Sequence, residues 1–311
     1  MDTLQSSEIK KRSFFRSHKF VYLIFFIFFI CIALYYLVSA PTPSLSFVNK
    51  QGVAIHISPN QALQEVALDL EEKKGVKYAP VLKGLVTFLG ASHSVPKGDY
   101  VFKESVSAWR VAWMLARGIH NVDPVKVTFK EGITNEEMAT ILASKLTAFR
   151  RDLFLSDEKS RQGYLFPDTY FFFPMTTSEE IVDEMSANFS SRISKLKGDI
   201  EKSNHTESEI INMASILEKE AKGKDDAPVI SGILWKRLKL GMPLQVDAER
   251  WTYGNTGLPP TPIANPGLVT IKASLAPVDS AYLYYLHGKD GMIHFAKTYE
   301  EHKSNINKYL R

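Results

Sequence analysis

Residues 210–223, IINMASILEKEAKG, carry a helical pattern of apolar residues that two glutamates interrupt near its end. The apolar residues recur at the i, i+3, i+4, i+7 spacing of a helix that buries one face, and they are Ile210, Met213, Ala214, Leu217 and Ala221. On such a helix Glu218 and Glu220 fall on opposite shoulders of the buried face. The pattern therefore predicts a packed helix with two carboxyl groups at the edges of its apolar side. Thr206 and Glu209 form a capping-box pattern where this helix begins.

Two other segments, 53–76 and 125–146, share a different pattern. In each, alternating apolar residues are followed by a turn and then by apolar residues at helical spacing. The alternation predicts a half-buried strand and the later spacing predicts a helix, so each segment forms a β-α unit. In the second unit, Thr134 and Glu137 form another capping-box pattern. The spacing alone leaves two interpretations open, a generic β-α packing unit and a binding module.

The rest of the chain alternates between helical patterns and turn-rich stretches. Gly118 and Gly241 are placed to end two of the predicted helices. The segment 253–267 holds four prolines and three glycines, which predicts a chain of turns. We also predict helices at 105–118, at 178–197 and from 229 onward, a short strand at 243–247, and a β-hairpin at 281–296 that turns at GKDG.

Residues 20–38, FVYLIFFIFFICIALYYLV, form an uncharged apolar run of 19 residues. A helix needs roughly 20 apolar residues to cross a bilayer, so the run predicts a transmembrane helix. Basic residues outnumber acidic ones in residues 1–19, which predicts a cytoplasmic N-terminus and an exported remainder. The alternative is a cleaved signal peptide, because VSA at 38–40 is similar to a cleavage site. Pro41 and the length of the run favour a retained anchor, followed by a Pro- and Ser-rich linker at 39–52.

Composition and charge limit the partners and cofactors. The 311 residues are 45% apolar and 23% charged, which is the balance of a globular protein. The net charge of +4 lies partly in residues 1–19, so we expect no nucleic-acid partner. Cys31, the one cysteine, lies in the apolar run, so the exported part has no disulfide framework. We expect no metal and no other cofactor, because the chain has no Cys/His cluster and no GxxxxGK[ST], HExxH or GxGxxG motif.

The two glutamates of the 210–223 helix suggest acid catalysis. A glutamate on the wall of an apolar cleft is desolvated, which raises its pKa and lets it deliver a proton near neutral pH. That is the requirement for a general acid that protonates a glycosidic oxygen. The alternative is that both glutamates form ion pairs with basic residues, for which Lys222, Lys236 and Arg237 are available.

The segment 163–173, GYLFPDTYFFF, is a dense aromatic stretch with a Pro-Asp turn in its middle. Aromatic rings stack against the C–H faces of sugars, so the stretch is a candidate for a sugar site. Phe and Tyr also bury large areas in protein cores, and we favour this second interpretation.

Several motifs, in their order along the chain, resemble those of the endolytic murein transglycosylase (MltG/YceG-like) family. QGYLFPDTY at 162–170 is similar to the family's EGYLFPDTY and differs from it only at Gln162. The resemblance covers roughly residues 20–310. The other motifs are ASILEKEA at 214–221, LQVDA at 244–248, GLPPTPIANPG at 257–267 and YLYYLHGKDGMIHFAKTYEEH at 282–302.

The resemblance implies an α+β fold with an N-terminal membrane helix, LysM-like β-α repeats and a C-terminal mixed α/β catalytic domain. It also implies cleavage of peptidoglycan glycan strands between MurNAc and GlcNAc, leaving 1,6-anhydro-MurNAc ends and terminating strand elongation. The implied location is the bacterial cytoplasmic (inner) membrane, single-pass, with peptidoglycan synthases as partners. The implied domains are a cytoplasmic N-terminus (1–19), a transmembrane helix (20–38), a linker (39–52), a LysM-like domain (53–150) and a transglycosylase catalytic domain (151–311).

The family's catalytic glutamate is the first of its EKE motif, which is Glu218 here. The resemblance implies that this one carboxyl group protonates the leaving oxygen and then takes the proton of the C6 hydroxyl, which attacks C1. Glu220 belongs to the same motif, and its place on the opposite shoulder of the helix indicates a positioning role. Tyr164 and Asp168 lie in the QGYLFPDTY motif and are expected in the floor of the cleft.

Three further polar residues are candidates for contact with the sugar. Gln245 and Asp247 alternate with Val246, so on a strand both side chains face the same side. They are expected either to bind substrate or to cap the neighbouring turn. Asn265 in IANPG is expected either to bind an acetamido group or to close an Asx turn.

One departure from the family pattern bears on activity. The family usually has a longer segment with a YNTY pattern between LQVD and GLPP, and here only AERWTYGNT at 248–256 remains. Two alternatives to a lytic transglycosylase therefore stay open. One is a hydrolase of the same polymer, which needs a second carboxylate, with Asp247 as its candidate. The other is an inactive peptidoglycan-binding anchor for the synthesis machinery.

Overall fold

The computed structural model describes residues 21–36, 52–91, 95–102, 106–223 and 225–311. The chain divides into two compact units, Met1–Asp123 and Pro124–Arg311. In the described residues the strands form three two-stranded antiparallel sheets, and helices supply most of the remaining regular structure. The fold is therefore mixed α and β with small sheets.

The first unit contains a helix, α1, at 21–36, inside the predicted membrane anchor. Within the described part of the chain, no helix combines the length and the hydrophobicity that a membrane span requires. The rest of this unit pairs β1 with β2, with Val53 opposite Phe102 and Ile57 opposite Gly98. Its elements after α1 are β1 (Val53–Ile57), α2 (Leu63–Glu72), α3 (Ala79–Phe88), β2 (Gly98–Phe102) and α4 (Ala108–Arg117).

The core of the first unit lies between this two-stranded sheet and the three helices α2, α3 and α4. Ile55 and Tyr100, from the two strands, are completely buried against apolar residues of these helices. Gly118 ends α4 in the left-handed conformation, with φ of 64°, as the sequence predicted.

The second unit begins with β3 (Val125–Thr128), which pairs with β4 (Thr169–Phe172). Near its end, β5 (Tyr284–His287) pairs with β6 (Ile293–Ala296) around the predicted GKDG turn, which confirms the hairpin. The helices of this unit are α5 (Asn135–Ala143), α6 (Arg151–Ser156), α7 (Ser178–Ser194), α8 (Lys197–Lys202), α9 (Glu207–Glu220), α10 (Asp226–Lys239), α11 (Trp251–Gly254), α12 (Leu268–Leu275) and α13 (Tyr299–Tyr309).

Both predicted β-α units are present, as β1–α2 and β3–α5, and the predicted capping boxes begin α5 and α9. The first β-α unit lies in Met1–Asp123 and the second in Pro124–Arg311, where its strand pairs with β4. The LysM-like assignment and the domain boundaries drawn from the sequence stay predictions.

The aromatic stretch at 163–173 belongs mainly to the core, which was the favoured interpretation. Leu165 and Phe172 are buried in the core around β3, β4 and α5. Phe166 is buried in a neighbouring cluster with residues of α7, α9 and α12. Phe171 points outward and is exposed, in keeping with the alternation of a strand.

Helix α9 differs from the prediction of one buried face, because every residue from 210 to 217 is buried. The reason is that other elements pack on several sides of the helix. Met213 and Leu217 lie in a cluster with α10, whereas Ile210 and Ala214 lie in a cluster with α7 and α12. The helix is thus the central helix of this unit, and its last turn leads from the core toward the surface.

The prediction of a strand at 243–247 was wrong. Gln245 has a left-handed φ of 51°, which is not a strand conformation. The segment forms an isolated β-bridge, between Pro243 and Thr256, in place of a strand. The reason is a local loop, in which the N–H groups of Gln245 and Val246 donate to the backbone and side-chain oxygens of Thr252. The left-handed residue breaks the alternation that placed Gln245 and Asp247 on one side.

Candidate active site

Glu218 lies in the last turn of α9 and is half-buried. Its Oε2 accepts a hydrogen bond of 2.9 Å from the N–H of Gly267 and one of 2.6 Å from the hydroxyl of Thr270. Gly267 is the N-cap of α12 and Thr270 lies in its first turn. The carboxyl group therefore sits at a helix N-terminus, where unpaired N–H groups and the helix dipole stabilise negative charge.

These contacts determine which oxygen of Glu218 is able to carry a proton. A backbone N–H only donates, so Oε2 must accept from Gly267 and an acid proton belongs on Oε1. The hydroxyl of Thr270 also lies 3.1 Å from the carbonyl of Gly267, so it has a second acceptor available. Among the described residues, the hydrogen bonds of the Glu218 carboxyl group go to Oε2, and Oε1 has none.

The predicted alternative of an ion pair at Glu218 is not formed. Among the described residues, no basic side chain lies within salt-bridge distance of Glu218. Lys236 instead pairs with Asp279, and Arg237 donates to Gln245.

The loop between β3 and α5 packs directly on Glu218. Gly132 has a left-handed φ of 77°, and a Cβ built on it would lie 3.1 Å from Cγ of Glu218. The N–H of Gly132 donates to the carbonyl of Asn265, and the N–H of Asn265 donates to the carbonyl of Ile133. Two loops, 131–133 and 265–267, are thus joined to each other beside the carboxyl group.

Asn265 is fully buried, and both polar atoms of its amide are engaged inside the protein. Oδ1 accepts from the N–H groups of Gly163 and Leu165, at 2.9 and 3.2 Å. Nδ2 donates to the carbonyl of Ile133 at 2.9 Å and to Oδ1 of Asn135 at 2.7 Å. The side chain therefore joins three segments of the chain that are distant in sequence.

Gln162, the residue that departs from the family motif, forms a second bridge close to Asn265. Its Oε1 accepts from the N–H of Asn135, and its Nε2 donates to the carbonyl of Ile263, both at 2.9 Å. A glutamate could accept the first bond but could not donate the second. The amide of Gln162 can therefore accept from Asn135 and donate to Ile263, which a carboxylate could not do.

Glu220 lies on the other shoulder of α9 in a different environment. Its Oε2 accepts a hydrogen bond of 3.0 Å from the hydroxyl of Tyr285. Burial raises the pKa of Glu220, and the charge of Asp247 raises it further. The hydrogen bonds that Glu220 receives from Tyr285 and from the N–H groups of Asp247 and Ala248 lower this pKa in part. Burial, followed by the charge of Glu220, also raises the pKa of Tyr285 well above its ordinary value.

Gln245 and Asp247 are exposed, and Asp247 lies beside Glu220. Asp247 Oδ1 accepts a hydrogen bond of 2.5 Å from the hydroxyl of Tyr253, and this bond, together with burial, raises the pKa of Tyr253. Gln245 Oε1 accepts a bond of 2.8 Å from Arg237, whose own pKa is lowered by burial. The structure thus brings Asp247 and Glu220 together and pairs Gln245 with Arg237, whereas the contacts of Glu218 come from other segments.

Tyr164 and Asp168 have contacts with α7 and not with the partners of Glu218. The ring of Tyr164 lies 5.1 Å from that of Phe189. The carboxylate of Asp168 accepts from Arg192 at 2.7 Å. Both residues therefore pack against α7.

Several residues of the site escaped prediction from the sequence. Thr270 lies in α12, a helix that the sequence pattern did not indicate, within the apolar run LVTI. Tyr285 is one of several tyrosines in the predicted hairpin, and nothing in its pattern marks it as the partner of Glu220. Gly132 and Gly267 offered one signal in the sequence. A glycine in a loop often marks a place where the backbone lies close to another group. In the described part of the chain, no three His, Cys, Asp or Glu side chains are grouped so as to hold a metal ion.

Comparisons with known proteins find relatives that match most of this chain. An endolytic murein transglycosylase of Bacillus subtilis (strain 168) is 28% identical over 311 aligned residues, which cover 84% of this chain and 86% of the relative. An endolytic murein transglycosylase of Streptococcus pneumoniae serotype 2 (strain D39 / NCTC 7466) is 24% identical over 326 aligned residues, covering 84% of this chain. The alignment spans 59% of the pneumococcal relative's own length.

A solved structure and a family model extend the comparison to the fold. The crystal structure of a yceG-like protein from Listeria monocytogenes superposes with a TM-score of 0.54 at 25% identity. The match covers 81% of this chain and 98% of that protein. The model of the YceG-like family matches residues 55–250 and 251–308, which is most of the sequence. The chain therefore belongs to the YceG-like family.

Proposed function

We propose that this protein is an endolytic lytic transglycosylase that cleaves peptidoglycan glycan strands between MurNAc and GlcNAc. Cleavage leaves 1,6-anhydro-MurNAc ends and terminates the elongation of nascent strands. The observation that carries the proposal is the setting of Glu218, with one carboxyl oxygen held by Gly267 and Thr270 and no ion pair in the described residues. The names of the relatives from Bacillus subtilis and Streptococcus pneumoniae support the same reaction.

In the first step Glu218 acts as the general acid. Its Oε1 gives a proton to the glycosidic oxygen, the C1–O bond breaks, and the electron pair of that bond stays with the leaving GlcNAc oxygen. Negative charge develops on the carboxyl group as it loses the proton. The N–H of Gly267 and the hydroxyl of Thr270 already point at Oε2, so they stabilise this charge without rearrangement.

In the second step the carboxylate of Glu218 acts as the base. The C6 oxygen of MurNAc attacks C1, the C1–O6 bond forms, and the hydroxyl proton returns to Glu218. One carboxyl group is thus used twice, and no water molecule enters the product. The C6 hydroxyl belongs to the same sugar as C1, so its high effective concentration favours it over water.

The remaining predicted residues take supporting roles in this proposal. Glu220 positions the loop at 247–248 through its hydrogen bonds, and the exposed Gln245 and Asp247 bind polar groups of the sugar. We assign Asn265 a structural role, because its amide has no free position for an acetamido group. Tyr164 and Asp168 hold the segment 164–168 against α7, which is a structural role.

The two alternatives are less well supported. A hydrolase that relies on Asp247 needs this carboxylate to work together with Glu218, but Asp247 interacts with Tyr253 and with Glu220. An inactive anchor gives no reason for a half-buried glutamate that is held by two donors at a helix N-terminus. The short 248–256 segment forms α11 and its flanking turns, and it keeps the contacts of Thr252 that shape the loop at 245–246.

We further propose that the protein is a single-pass protein of the bacterial cytoplasmic membrane. Residues 20–38 form the anchor, the N-terminus is cytoplasmic, and the catalytic part lies outside. Support comes from the uncharged apolar run of 19 residues and from its basic flank. The LysM-like domain at 53–150 and the catalytic domain at 151–311 are part of the same proposal, with peptidoglycan synthases as partners.

End-group analysis tests the reaction directly. Uncrosslinked glycan strands are digested with the full-length protein, and the fragments are identified by mass spectrometry. We expect internal cleavage with 1,6-anhydro-MurNAc ends, which are lighter by one water than reducing ends. Fragments with reducing ends would establish a hydrolase, and intact strands would favour the inactive anchor.

A further inference from the structure

A second glutamate, Glu131, contacts the same glycine that holds Glu218. Gly267 has no side chain, and a Cβ built on it would lie 2.7 Å from Cγ of Glu131 and would overlap the carboxyl group of that residue. The carboxyl group of Glu131 thus occupies the space that a side chain at 267 would fill. The N–H of Gly267 donates to Glu218 at 2.9 Å, so two carboxyl groups lie against one residue.

Covalent geometry limits the separation of the two groups. The N–H and the Cβ position belong to the same residue, so the nearest oxygens of Glu131 and Glu218 lie no more than roughly 7 Å apart. Paired carboxyl groups that act on one glycosidic bond lie about 5 to 9.5 Å apart in glycosidases. The spacing therefore allows both groups to contact a single sugar.

The backbone holds Glu131 in this place. Gly132, the next residue, packs on Cγ of Glu218 and bonds through its N–H to the carbonyl of Asn265. Glu131 is exposed to solvent, whereas Glu218 is half-buried. The loop therefore presents a solvent-accessible carboxyl group close to the group that delivers the proton.

We propose that Glu131 is a second catalytic carboxylate, which stabilises the positive charge that develops at C1 of the sugar. This inference rests on the proposed function. As the glycosidic bond breaks, C1 and the ring oxygen share a positive charge, and a nearby carboxylate stabilises it electrostatically without forming a bond. Glu218 still gives the proton to the leaving oxygen and takes it back from the C6 hydroxyl. Glu131 starts and ends the cycle ionised.

The test compares steady-state kinetics of the full-length protein and its variants on uncrosslinked glycan strands. Glu131→Gln removes the charge and keeps the shape, so we expect kcat to fall by about 10²- to 10³-fold with KM changed much less. Glu131→Asp keeps the charge and should recover part of the rate. Glu201→Gln is the matched control, since it removes an exposed charge from the surface near Lys197, and it should leave kcat unchanged.

The comparison of Glu131→Gln with Glu131→Asp separates a charge effect from a merely structural one, because the shorter side chain keeps the carboxylate. Gly267→Ala gives a second variant, because the added methyl group displaces the carboxyl group of Glu131 while the charge of Glu131 and the N–H donor to Glu218 remain. We expect at least a tenfold fall in kcat for this variant.

The outcomes distinguish this inference from the proposed function. Anhydro ends from every variant, with wild-type kcat in both Glu131→Gln and Gly267→Ala, would overturn the role of Glu131 alone. Reducing ends from the wild type would overturn the proposed function itself. Anhydro ends from the wild type, with a low kcat in Glu131→Gln and a partly recovered kcat in Glu131→Asp, support both.

Discussion

The hydroxyl of Thr270, in the first turn of α12, lies 2.6 Å from Oε2 of Glu218, at the end of α9. This contact joins two helices whose apolar residues share a core, so its geometry is set by the packing of the second unit. It also places a donor at the oxygen on which charge develops when Glu218 gives up a proton. The hydroxyl should therefore contribute to the rate and not only to stability.

Thr270→Val tests that contribution, since it keeps the shape of the side chain and removes the donor. A hydrogen bond to a charged group is worth about 1.5 to 3 kcal/mol, which corresponds to roughly a 10- to 100-fold fall in kcat. Thr270→Ser keeps the hydroxyl and should stay close to the wild-type rate. Steady-state kinetics with a thermal melt of each variant provide the measurement. A wild-type kcat in Thr270→Val would show that the contact has no part in catalysis.

Asn265 should be important for stability, because four hydrogen bonds of its buried amide join it to two distant segments, 133–135 and 163–165. Asn265→Ala leaves the N–H groups of Gly163 and Leu165 unpaired in the interior, so we expect a loss of at least about 3 kcal/mol in the free energy of unfolding. Asn265→Asp should be no better, since a carboxylate would face two acceptors. Urea unfolding measures both variants. A loss below about 1 kcal/mol for Asn265→Ala would refute the structural role.

Glu220 should make stability depend on pH in a defined direction. Its pKa in the folded protein is raised above the ordinary value of 4.5, chiefly by burial, so the folded state binds the proton more tightly than the unfolded state. The contribution of Glu220 to the free energy of unfolding is then constant below pH 4.5. This contribution is lost as pH rises through the raised pKa of Glu220. Glu220→Gln stays neutral and should therefore gain stability relative to the wild type over that window. Urea midpoints from pH 4 to pH 8 would show parallel curves if the prediction is wrong.

Local signals in the sequence were sufficient for much of the fold. The capping boxes at the start of α5 and α9, the left-handed Gly118 and the hairpin turn all depend on residues close together in the chain. These features were predicted because hydrogen bonds within a few residues determine them.

Predictions from the sequence were wrong or missing where contacts between distant segments determine the structure. The pattern at 243–247 indicates a strand, but contacts with Thr252 turn Gln245 into the left-handed region and redirect Asp247. The pattern of α9 indicates one apolar face, but helices pack on more than one side of it. Thr270 and Gly132 contact Glu218 across separations of 52 and 86 residues, which no local pattern reveals.

The two glutamates of α9 provide the most direct test of the account. Burial raises the pKa of Glu220, while Glu218 has its donors at a helix N-terminus, and only Glu218 is assigned the proton transfer. Digestion of uncrosslinked glycan strands by Glu218→Gln and Glu220→Gln, with quantification of anhydro ends, compares them under identical conditions. We predict that Glu218→Gln loses at least about 10³-fold in rate, whereas Glu220→Gln keeps at least about a tenth of it. Continued cleavage by Glu218→Gln, with loss of cleavage in Glu220→Gln, would contradict the account.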